Sequence, residues 1–234
     1  MDSEYFEKLS KDNQYLVNSL EKQTNKPISV VIDQSKDSMG CDVNLLRLLT
    51  PSKEYFNDGS VLHELLHIKR ILIDEIPKLT INDTDNTNNP EYISQKLVYE
   101  IDNIIEHLCI IPEEIEAIPE RKEYWETQIN NELDKIINDP NYYLPNYLNF
   151  VVYLQGMLIY KALYTKKEIY EKLKLIEDNN GYSYKFKDIR DKMSSFENKK
   201  EDLIRKLFEF FNIPQNNIIF LYYKKNGIQY SVKL

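Results

Sequence analysis

Apolar residues recur along the chain at two spacings, and the change from one to the other divides it into elements. Tyr5, Phe6, Leu9, Tyr15, Leu16 and Leu20 fall at helical intervals and predict an amphipathic helix over 3–22. Pro27 breaks that pattern, and the β-branched run 28–32 predicts a strand, followed by a turn at Met39-Gly40 and a second strand over 41–49. Val61, Leu62, Leu65, Leu66, Ile68, Ile71 and Leu72 then give a helix over about 60–75 that is apolar on most sides, the mark of a buried helix. Asn57-Asp58-Gly59-Ser60 supplies turn and capping residues before it, and Pro77 stops it.

Residues 80–90 are polar and turn-rich. A helix over 91–111 is expected to end before Pro112, because the residue ahead of a proline disfavours helical backbone. Further helices are predicted over 120–138, 145–165, 167–178 and 186–211. The tail reads as a β-hairpin, with strands at 217–223 and 228–232 around Asn226-Gly227, a dipeptide suited to a two-residue turn. The fold class is α+β and mostly helical.

The buried helix carries His63-Glu64-Leu65-Leu66-His67, two of the chain's three histidines. Residues four apart on a helix stand one above the other, so His63 and His67 can grip one metal ion, with Glu64 beside them as a general base. A catalytic zinc needs a third protein ligand and an open position for water. The extended H-E-x-x-H-x-x-G-x-x-H pattern is excluded, since Arg70 and Ile73 stand where glycine and histidine are required.

The third ligand must come from elsewhere, and the following helix offers two neighbours. Glu106 would complete a set of two histidines and a glutamate, with His107 left to stabilise an oxyanion. His107 would complete a set of three histidines, with Glu106 or Asn103 supporting it from behind. Glu100 and Glu91 are weaker candidates, and Asp102 or Asp74 could orient a ligand imidazole.

His63-Glu64-Leu65-Leu66-His67 followed by Asn103-Ile104-Ile105-Glu106-His107 resembles the zincin metallopeptidases of the thermolysin-like fold group, in particular small bacterial H-E-x-x-H proteins. The likeness covers about residues 28–112. It departs from the thermolysin type, which carries a glutamate closer to the second histidine and an aspartate four residues beyond it; here position 110 is Ile. The resemblance implies a small sheet ahead of the motif helix, a Zn2+ cofactor, and hydrolysis of a peptide or protein substrate bound as an added strand beside 41–49. On this reading residues 1–115 form a zincin-like metal-binding region. Residues 116–234 form a helical extension ending in the hairpin, and the two together could make one compact domain. The alternatives are a zinc-binding domain without catalysis and a helical protein-interaction domain without metal.

Charge and cysteine content narrow the setting. A net charge of −8 and a pI near 5.1 argue against binding nucleic acid through its phosphates. The most apolar stretch, Tyr147–Tyr160, contains Asn149 and Gln155 and falls short of the roughly twenty apolar residues of a membrane span. Two cysteines make no disulfide framework, and the acidic start lacks the features of a secretory signal. The expected setting is cytoplasmic, with no membrane partner.

Overall fold

The computed structural model describes residues 1–82, 94–140, 142, 147–163, 167–180, 200–224 and 229–234, with the side chains of 147 and 158–163 excepted. It is a mixed α+β fold. The elements in chain order are α1 (Ser3–Phe6), α2 (Lys11–Thr24), β1 (Ser29–Ile32), β2 (Gly40–Asp42), β3 (Arg47–Thr50), α3 (Asp58–Leu72) and β4 (Lys78–Ile81). There follow α4 (Gln95–Ala117), α5 (Arg121–Asn138), α6 (Tyr147–Leu163), α7 (Lys167–Asn180), α8 (Lys200–Phe210), β5 (Ile218–Tyr223) and β6 (Gln229–Lys233). Among the described residues no helix is long and apolar enough to cross a membrane. Two compact units divide the chain: Met1–Lys78 with Leu221–Ser231, and Leu79–Phe220 with Val232–Leu234.

In the first unit the helix expected over 3–22 is two helices. Ser10 interrupts it: its side chain accepts from the Asn13 amide to cap α2, and its own amide donates to Asp58 Oδ1. The single strand expected over 41–49 is likewise two, β2 and β3, paired antiparallel with Cys41 opposite Leu48. Turn chemistry explains the difference. Asp42 Oδ1 accepts from the Leu45 amide, and Leu46 adopts a positive φ of 51°. β1 pairs in parallel with β3, so the sheet order is β1-β3-β2 with β3 central.

α3 packs against α2 and β2 through a wide apolar surface. Val61, Leu65 and Ile68 are fully buried with Val17, Leu20, Ile28, Leu48 and Tyr223 in one core. Burial of each such aliphatic side chain is worth about 1.5–3 kcal/mol. Asn57 caps α3 by accepting from the Ser60 amide, so the helix starts two residues before Ser60. It closes with the Ile76 amide donating to the Arg70 carbonyl and Glu75 at a φ of 54°.

In the second unit α4 begins at Gln95, where Ser94 accepts from the Leu97 amide, and it runs through Pro112 to Ala117. The expected stop at Pro112 is overruled by burial beyond it. Ile115 packs into the interior, and buried Glu114 accepts from Trp125 Nε1 at 2.9 Å and pairs with Arg121. α5, α6 and α7 pack closely around Gly156, where an added Cβ would stand 3.0 Å from Leu173 Cδ2 and 3.4 Å from Ile129 Cγ1. A second sheet has the order β4-β5-β6. β4 falls partly on the expected 80–90 loop, and only four residues mark it. β5 and β6 occupy the expected hairpin strands; the Asn226-Gly227 turn and the 186–199 part of the last expected helix lie outside the described residues.

Candidate metal centre

α3 fixes the first half of the centre. His63 and His67 stand one helical turn apart, with ring centroids 5.0 Å apart and planes at 83°. Their edge-to-face arrangement turns the two rings differently on one helix face. His67 and Glu64 are each only 8 % exposed, while His63 is half-buried. On β2, the Cys41 thiol lies within reach of the Glu64 charge. Burial pushes the Cys41 thiol well above the ordinary cysteine range. The Glu64 charge and hydrogen bond add to the shift, Lys78 opposes it, and Asp42 adds a little more. The thiol is therefore protonated at neutral pH.

α4 carries the other candidates. His107 is half-buried, its ring tilted at 60° to Trp125 with centroids 5.5 Å apart. Its Nδ1 lies 3.5 Å from the Gln155 side-chain amide on α6. His63, His67 and His107 form a group that could hold a metal ion, one ligand atom of each lying within 4.8 Å of the others. Three neutral imidazoles are a sound donor set for zinc, cobalt or copper, and nothing in the set itself selects among them.

Glu106, the neighbouring candidate, meets a cation. Lys200, at the start of α8, places Nζ 2.7 Å from Glu106 Oε1 and 2.6 Å from Asp102 Oδ1. Asp102 also accepts from the Leu79 amide at 2.9 Å. Lys200 and Glu106 are each 2 % exposed. Burial alone would lower the Lys200 ammonium, but the two carboxylates outweigh it and hold its pKa above the ordinary value. Asp102 is pushed up by burial and by the Glu106 charge, against the pull of Lys200, because two carboxylates share one ammonium.

The remaining candidates are dispersed. Asn103 is half-buried one turn before His107. Glu100 pairs with Lys96 at 3.8 Å, Asp74 pairs with Lys69 at 3.6 Å, and Glu91 lies outside the described residues. Asp102, considered as an orienter of imidazole, serves Lys200 and the Leu79 amide. Sequence reasoning missed Lys200, Cys41 and Gln155. Lys200 stands far from its partners in the chain, and only the packing of α8 on α4 discloses it.

The chain matches no protein-family model, and no curated protein or solved structure is significantly similar to it. The likeness to zincins accordingly rests on the motif residues.

Proposed function

We propose that the chain is a zinc-dependent peptidase in which His63, His67 and His107 hold the metal and Glu64 is the general base. The observation that carries this reading is the meeting of three imidazoles beside the helical turn that bears a buried glutamate. Such a set uses three of zinc's four positions and leaves one for water or substrate. Zinc bound there would acidify a water and polarise the scissile carbonyl.

The rest falls to the chain's own groups. The Glu64 carboxylate takes a proton from the water that attacks the carbonyl carbon. It then delivers that proton to the amine nitrogen as the C–N bond breaks. Lys200 keeps the Glu106 carboxylate occupied, so His107 rather than Glu106 is the third ligand in this proposal. A peptide substrate pairs with β2, the edge strand beside Glu64, since β3 is central in its sheet.

The test combines metal content by elemental mass spectrometry with cleavage of a mixed peptide pool. About one zinc per chain is expected in wild type and in Glu64→Gln, with loss in His67→Ala, and cleavage is expected only in wild type. A wild-type chain that takes up no added zinc refutes the proposal. Zinc retained with no peptide cleaved favours the non-catalytic metal-binding domain.

A further inference from the structure

His107 and Glu114 stand two turns apart on one face of α4, about 10 Å along its axis, and Trp125, early in α5, reaches both. The indole Nε1 donates to Glu114 Oε2 at 2.9 Å. Glu114 is fully buried, and its Oε1 pairs with Arg121, whose guanidinium stacks on the Tyr124 ring 3.9 Å from the centroid. The same indole meets the His107 ring, with centroids 5.5 Å apart and planes at 60°, the tilted geometry that aromatic pairs favour. An indole has one N–H and no acceptor. A hydrogen bond from it to a carboxylate that an arginine already holds therefore fixes where the ring lies.

A histidine ligand must aim its lone pair at the metal in the plane of the ring, yet the torsion that turns the ring is broad and roughly two-fold. A neighbour has to choose the angle. Gln155 Nε2, at 3.5 Å from Nδ1, is at the far limit of a hydrogen bond and restrains the ring weakly. We propose that Trp125 is a positioning residue for the metal centre: anchored by Glu114, its indole packs against His107 and holds that ring at the angle in which its nitrogen meets the ion. This rests on the reading of His107 as the third ligand. An indole suits the task because its only polar group is a donor, already engaged by Glu114, so it does not compete for the metal.

Trp125 is the chain's only tryptophan, so its fluorescence reports on this one contact. With the full chain, Zn2+ affinity is read by competition with a chromophoric chelator, the visible absorption of bound Co2+ is recorded, and Tm is measured without metal. Trp125→Ala should lower zinc affinity about tenfold and weaken the cobalt band, and Trp125→Phe, which keeps a ring but gives up the tie to Glu114, should fall between it and wild type. A merely structural role would lower the Tm of the metal-free chain and leave the affinity and the cobalt band of the folded chain unchanged. Alanine with wild-type affinity and band, or phenylalanine no better than alanine, overturns the inference. In wild type, about one equivalent of Co2+ should quench most of the tryptophan emission, since an open-shell ion held by His107 sits one imidazole away from the indole. Bound cobalt that leaves the emission intact overturns the inference whether or not the alanine variant folds, and leaves the metal reading standing. A wild type that binds neither ion overturns the metal reading and this inference with it.

Discussion

Replacing Lys200 by methionine removes a cation that bridges Asp102 and Glu106 while keeping most of the side-chain volume. The ammonium sits 2.6 Å and 2.7 Å from the two carboxylates, and all three residues are 4 % exposed or less. Breaking a buried ion pair by deleting one partner costs about 3–5 kcal/mol, because it leaves buried charge less well compensated. For a chain of this size that is roughly 6–20 °C in Tm. Circular-dichroism melts at neutral pH measure it, and a triple variant Lys200→Met/Asp102→Asn/Glu106→Gln, which also removes both acids, should recover at least half of the loss. The pH dependence has a definite sign. The native Lys200 pKa is raised, so its contribution is complete below the ordinary value of 10.5 and is lost as pH rises through the higher native value. The gap between wild type and Lys200→Met should therefore shrink in alkali, and also in acid as the Asp102 carboxyl, whose pKa is raised, takes up a proton. A single variant that melts within about 2 °C of wild type, or a triple variant no better than the single, would refute the reasoning.

Three further outcomes follow from the packing and the centre. Gly156→Ala should fail to gain the roughly 1 kcal/mol that alanine normally brings to a helix, because its Cβ meets Leu173 at 3.0 Å; Gly156→Val should cost about 1–3 kcal/mol in urea unfolding. Asn57→Ala should cost about 1 kcal/mol by loss of the α3 cap, read in the same assay. His107→Ala should lower zinc affinity by at least tenfold in competition with a chromophoric chelator, whereas Glu106→Gln should leave it within a few fold.

Local signals and long-range ones fared differently in the sequence. α3 was legible because its cap, its apolar surface and its stop all lie within twenty residues or so. The histidines were legible as candidates because the chain has only three and two share a helical turn. Where a capping serine split a continuous apolar pattern, as at Ser10, periodicity alone saw one helix instead of two. At Pro112 the local rule lost to tertiary burial of Ile115 and Glu114. The choice between Glu106 and His107 could not be made from spacing, since adjacent residues differ only in what packs against them. Lys200 packs against Glu106, and a lysine in a charged run reads as solvent-facing.

The first unit takes its last core residue from the far end of the chain: Tyr223 packs with Val17, Leu48 and Val61, and Leu221 lies against them. During synthesis residues 1–78 emerge first, and their core lacks Tyr223 and Leu221 until residues 79–220 have also emerged. At ordinary elongation rates that delay is roughly seven to thirty seconds, during which the place of Tyr223 in that core stands open. A nascent chain paused in that interval is a natural client for chaperones.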